Sequence, residues 1–198
     1  MTGVTLYVRS RQVPTALGAA TAGTVVAWLL ATVFGGQGEV GRAVLVLTVL
    51  LVVSVVTTTL GGPDDTLDRT AARPWASLRM SHLAAALTCV LMLLLVTLLT
   101  GTRFGPVGCV FRDTAGLLGL TALGAAAAGA ARSWFLPLGW TLGAVVFPAT
   151  GTVGETLTWQ TQAPDSRPAA MVAALLTTAG TAAYVSRGPR QRTSPEPL

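Results

Sequence analysis

The chain has 198 residues, of which 52% are hydrophobic and only 11% charged, against about 25% charged in an ordinary soluble domain. Its apolar residues come in blocks of about 20, the length that crosses a bilayer as a helix, which excludes a water-soluble enzyme built on a compact core. The net charge of +5 comes from 13 basic residues, every one an arginine. They sit between the apolar blocks and form no basic stripe, which excludes a nucleic-acid partner.

The first 13 residues, with Arg9 and Arg11, read as an interfacial segment. The first apolar block covers residues 14–34. A secretory signal has a core of about 7 to 15 apolar residues and a small-residue cleavage site; this block is longer and lacks such a site, so it is expected to stay as a first helix. The second block, 43–60, is dense in valine and leucine, and the third covers 83–100. A polar loop, 62–80, separates them.

The fourth block, 114–131, is rich in glycine and alanine, a composition that lets helix backbones approach closely, and it is expected inside the bundle. The fifth, 134–150, contains Pro137 and Pro148, so it is expected to be kinked or partly re-entrant. The sixth, 169–185, is followed by a Pro-rich tail, 187–198, expected to be disordered. The fold expected is all-α, a polytopic membrane domain of about six transmembrane helices over 14–186.

Six spans bring both termini to one side. Arg9, Arg11, Arg69, Arg73, Arg79, Arg132, Arg187, Arg190 and Arg192 then share a face, leaving Arg42, Arg103, Arg112 and Arg167 on the other. Arginine excess marks the cytoplasmic face, so both termini are expected in the cytoplasm and the protein in the cell membrane. The five tryptophans, Trp28, Trp75, Trp134, Trp140 and Trp159, read as headgroup-level anchors.

The block cores contain no Asp, Glu, Lys or Arg, whereas proton relays and ion-coupled carriers keep ionisable groups in the bilayer. The adjacent Arg112 and Asp113 read as a helix boundary, and Glu155 lies near a span end. His82 is the only histidine and reads as an interfacial residue and not as a base or ligand. Cys89 and Cys109 are expected at different depths, unsuited to a disulfide or metal site. No catalytic residue, cofactor or metal is expected.

The most structured polar stretch is GGPDDTLDRTAARPWASLRMSH, residues 61–82. Asp64 can cap a short helix that Pro74 stops, with Asp65 and Asp68 early, Arg69 and Arg73 late, and Asp65 and Arg69 paired at i,i+4. A solvated connecting helix fits these residues, and so does a docking element. Together with VTLYVRSRQVP at 4–14, DDTLDRTAARP at 64–74 and GAVVFPATGTVGETLTWQ at 143–160, the topology over most of the chain resembles the permease subunits of ABC-2-type transporters. That family has cytoplasmic termini, an amphipathic stretch before span one, a coupling helix between spans two and three, and a broken outer segment between spans five and six. The resemblance implies an exporter subunit moving hydrophobic or amphipathic cargo. A separate ATP-binding subunit would dock on Asp64, Asp65, Leu67, Asp68, Arg69 and Arg73, and a second permease subunit would complete the path. The chain has no lysine for a phosphate-binding loop of its own.

Two enzyme families share fragments of the same loop. Asp65, Asp68, Ala72 and Arg73 are similar to the first half of the CDP-alcohol phosphotransferase signature, but Arg69, His82, Ala86 and Val90 replace its two glycines and remaining aspartates. Two carboxylates do not build a two-metal site. The segment RTAARPWASLRMS, 69–81, resembles a stretch of membrane prenyltransferases, without their second Asp-rich motif. A non-transporting scaffold or immunity subunit is the remaining alternative.

Overall fold

The structure, a computed structural model, describes residues 11–35, 38–61, 75–100, 102–147 and 151–190. Its helices are α1 (Val13–Gly35), α2 (Arg42–Thr57), α3 (Trp75–Leu95), α4 (Val107–Ala128), α5 (Phe135–Val146), α6 (Gly151–Leu157) and α7 (Arg167–Arg187). Short 3-10 turns prolong α2 over Thr58–Leu60 and α3 over Val96–Leu99. Two-residue strands, β1 (Gly38–Glu39) and β2 (Thr102–Arg103), pair in parallel and tie the α1–α2 connection to the α3–α4 connection.

The fold is all-α. Four helical stretches, Val13–Phe34, Arg42–Leu60, Trp75–Leu99 and Arg167–Arg187, are long and apolar enough to cross a membrane. Their outer faces carry large apolar side chains in the open, among them Phe34 at 83% and Leu99 at 87% exposure. Apolar surface of this extent suits lipid and not water.

The other two expected spans differ from the sequence reading. The fourth block belongs to a helix that starts seven residues earlier, at Val107, after Pro106 in extended conformation. Arg112 and Asp113 therefore lie in its second turn and not at a boundary. The fifth block gives a helix of 12 residues, roughly 18 Å at about 1.5 Å per residue, which alone is short of the ~30 Å hydrocarbon core. Pro137 does not kink it, because it sits in the first turn, where its missing N–H leaves no bond unmade. Helix α3 likewise starts at Trp75, so residues 75–80 are helix and not loop.

α4 is the central helix. It packs most extensively on α7 and also touches α2, α3 and α5. Ala169, Ala173, Gly180 and Tyr184 form the buried stripe of α7. Opposite them, a Cβ added to Gly119 would lie 2.5 Å from the Leu176 carbonyl oxygen, and one added to Gly180 would fall on the Gly119 carbonyl. The two backbones touch. Between helices in lipid there is no hydrophobic drive, so association relies on such close van der Waals packing of small residues. α7 is delimited locally: Ser166 caps its start by accepting from the Ala169 amide, Pro168 occupies the first turn, and Gly188 ends it at φ +73°.

Polar contacts gather at two ends of the bundle. At one end, Arg11 Nη1 donates to the carbonyls of Thr59 (3.3 Å) and Leu60 (3.2 Å), and the Tyr184 hydroxyl donates to the same Leu60 oxygen at 2.7 Å. These groups take up carbonyls that the end of α2 cannot satisfy within the helix. His82 Nε2 shares a 2.9 Å hydrogen bond with Thr59 Oγ1, two turns into α3. Arg79 donates to the Val185 carbonyl at 3.2 Å. The start of the tail is held here as well: the Arg190 amide donates to the Ala125 carbonyl at 3.0 Å and its guanidinium to Ala127 at 3.2 Å. Residues 191–198 and the N-terminal 1–10 lie outside the described residues. At the opposite end stand Arg42, Arg112 and the paired strands.

Gly180→Val places a branched side chain against a backbone carbonyl that cannot yield, so it should cost more than the ~1–3 kcal/mol of ordinary overpacking. The expected result is loss of a monodisperse species in mild detergent. Gly139→Ala, where nothing lies within 4 Å of the added Cβ, should leave stability unchanged or raise it by up to ~1 kcal/mol, read as an unchanged or higher thermal transition.

Candidate functional site

Two features of the described residues are candidates for function: a buried ion cluster at the Arg42 end and an apolar groove toward the Arg11 end. The cluster is built on α4. Asp113 is fully buried, and burying a carboxylate is costly unless it is paired. Arg112 Nε donates to Asp113 Oδ1 at 3.1 Å, and Arg42 Nη2, from the first residue of α2, lies 3.4 Å from Oδ2. The second contact is ionic without being a well-formed hydrogen bond, since Oδ2 has no hydrogen-bond partner among the described residues.

The remaining guanidinium donors are spent on one loop. Arg112 donates to the carbonyls of Ala163 and Gln162, each at 2.9 Å. Arg42 donates to those of Gln160 at 3.1 Å and Gln162 at 2.8 Å. One carboxylate thus orients two arginines, and these clamp the turn that leads from α6 into α7. Beneath the clamp Trp159 is fully buried, its ring against Gly116, so it is a core residue and not a headgroup anchor. Trp134, by contrast, is 37% exposed. Both amide atoms of Gln160, Trp159 Nε1, Thr114 Oγ1 and Thr141 Oγ1 are buried without a hydrogen-bond partner among the described residues.

Chemically the cluster is a positioning device. Both Asp113 oxygens face guanidinium groups, so the carboxylate is committed and not aimed at a substrate space. Cys89 and Cys109 are both free thiols, Cys109 buried in the first turn of α4. Among the described residues no three of His, Cys, Asp and Glu come together in a way that could hold a metal ion.

The groove has a volume of about 660 Å³ and lies between α1, α2 and the start of α5. Ala16 and Ala19 on α1 and Ser54 on α2 give it depth, Leu51 lines it, and Trp134 and Leu138 close one side. It opens sideways from the bundle.

Comparison with known proteins adds no assignment. No family model matches the sequence, and no curated protein or solved structure matches it. The six residues expected to dock an ATPase, Asp64, Asp65, Leu67, Asp68, Arg69 and Arg73, all lie outside the described residues, so none is placed relative to the cluster or the groove. The reading from sequence did not find the Arg42–Arg112–Asp113 cluster. The signal was present: VGCVF precedes Arg112–Asp113 and TAGLLGL follows, so the ion pair interrupts an apolar run and does not start one.

Asp113→Asn would leave two guanidinium groups facing each other without a counter-charge. Breaking a buried pair in this way should cost about 3–5 kcal/mol, read as a lowered thermal transition and as protease cleavage within 158–163. Arg42→Gln, whose side chain is 24% exposed, should cost less than half as much. Equal losses would contradict the hub role of Asp113.

Proposed function

We propose that the chain crosses the cell membrane six times, with both termini in the cytoplasm, and serves as the membrane subunit of an exporter driven by a separate ATPase. The observation that carries this reading is the interrupted passage made by α5 and α6. Ser133, just before α5, packs on Gly124 near the end of α4. By Gln160 the chain has reached the Arg42 end. The segment therefore passes from one end of the bundle to the other in two pieces, and the second turns back beside the first, since Trp140 Nε1 on α5 donates to the Leu157 carbonyl at the end of α6 at 2.7 Å. A broken segment before the last helix, on the face away from a charged cytoplasmic loop, is the arrangement expected of an ABC-2-type permease.

The arginines support the orientation. Arg11, Arg79 and Arg190 contact backbone at one end, and Arg42 and Arg112 share carbonyls at the other. That is the grouping six alternating passages require, with the arginine-richer end in the cytoplasm. In this reading α4 crosses inside a protein sheath, where its buried Arg112–Asp113 pair is offset by Arg42 and the 160–163 carbonyls. The chain hydrolyses no ATP. Its partner docks on Asp64, Asp65, Leu67, Asp68, Arg69 and Arg73, a second permease subunit completes the path, and the cargo is hydrophobic or amphipathic.

Affinity purification from native membranes should bring down an ATPase. Its activity in the complex should fall by about tenfold or more when Asp65, Arg69 and Arg73 are replaced together by alanine, on the ~1.4 kcal/mol-per-decade scale of interface contacts. If no ATPase accompanies the protein, the exporter reading fails and a scaffold subunit takes its place. For topology, single cysteines at Thr152 and Arg187, in a background lacking Cys89 and Cys109, should label from opposite faces; labelling from one face would remove the sixth passage.

A further inference from the structure

We infer that the groove between α1, α2 and the start of α5 holds one acyl chain of an anionic phospholipid, with its headgroup at Arg132. The inference rests on the six-pass reading, which puts this end of the bundle in the cytoplasmic leaflet. The groove is open sideways and lined almost entirely by apolar side chains, with Ser54 among the few hydroxyls. Its volume of about 660 Å³ is that of a shallow, wide-open depression and not of an enclosed cavity, and in a bilayer the molecule that lies along such a lateral surface is a lipid.

Charge selects the headgroup. Arg132 is exposed and stands two residues before Trp134, a wall of the groove. Trp134 stacks on Phe135 with ring centroids 4.0 Å apart, an aromatic pair at the depth where such rings meet headgroups. In the six-pass reading this end carries nine arginines, among them Arg11, Arg79, Arg132, Arg187 and Arg190, against four acidic residues, Asp64, Asp65, Asp68 and Glu196, so it is net positive. Glu39, Asp113, Glu155 and Asp165 belong to the opposite end, Glu39 beside Arg103 in the strand pair and Glu155 accepting from Ser166 at 3.1 Å. An anionic headgroup therefore gains at this rim what a zwitterionic one does not.

The test uses the full chain in vesicles of equal phosphatidylglycerol and phosphatidylcholine, extracted gently and weighed by native mass spectrometry. One phosphatidylglycerol per chain should survive extraction. Ala19→Phe, which fills the groove, should abolish retention, and Arg132→Gln should reduce the preference for phosphatidylglycerol about fivefold. Should Ala19→Phe fail to fold, Ser54→Leu fills the groove from the α2 side. Brominated phosphatidylglycerol should quench a fluorescence component that Trp134→Phe removes. Unchanged retention in a folded groove-filled variant overturns the inference, as does equal retention of both lipids by the unaltered chain. So does a dimer that Ala19→Phe dissociates, since a second copy would then be the occupant. A cysteine at Arg187 that labels from the cytoplasm while no lipid is retained overturns the groove alone; one that labels from outside overturns the six-pass reading and the leaflet with it.

Discussion

The contact on which the bundle depends is backbone against backbone, where Gly119 of α4 meets Gly180 of α7. In lipid, apolar side chains gain little by leaving their surroundings for one another, and the advantage passes to surfaces that fit closely. A pair of glycines at the crossing brings two helix axes nearer than any side chain would permit. That closeness places Ala173 and Trp159 against Gly116 and turns α4 into a helix enclosed on nearly every side. Its enclosure in turn makes a buried Asp113 tenable, because the helix is shielded by protein and two arginines reach it.

The two ends of the bundle solve the same problem in opposite ways. Helix ends and connecting turns expose carbonyls that must find donors. At the Arg11 end these donors come from residues remote in sequence, Arg11 and Tyr184, meeting on one oxygen of Leu60. At the Arg42 end the acceptors lie in a single turn, 160–163, and two arginines fixed by one carboxylate serve them all. The first end is a meeting of termini; the second is a clamp on one loop.

Much of the fold is legible in the residues. Blocks of apolar sequence mark α1, α2, α3 and α7, and the glycine–alanine richness of 114–131 marks the interior helix. Boundaries are harder where a helix start has no polar signal: Val107 follows Pro106, and no side chain caps it, so the apolar VGCVF turn reads as connection. The prolines of the fifth block predict a kinked or re-entrant segment, and the block does give a helix of only 12 residues, but Pro137 is accommodated in its first turn. The apolar residues on both sides of Arg112 and Asp113 mark the pair as buried, but its partners are not legible locally, because Arg42 and the 160–163 carbonyls are dozens of residues away. Burial of Trp159 depends on Gly116 in the same way.

The enclosure of α4 also bears on how the molecule is made. A ribosome delivers the glycine face of α4 well before α7 exists to cover it, and Arg112 and Asp113 are made before the 160–163 carbonyls that will receive the guanidinium donors. Until then the only protein cover available to the helix among the described residues comes from the earlier elements it touches, α2 and α3. The closing of the bundle is therefore a late event in its biosynthesis, completed when the last helix slides into the glycine seam and Tyr184 reaches back to the end of α2.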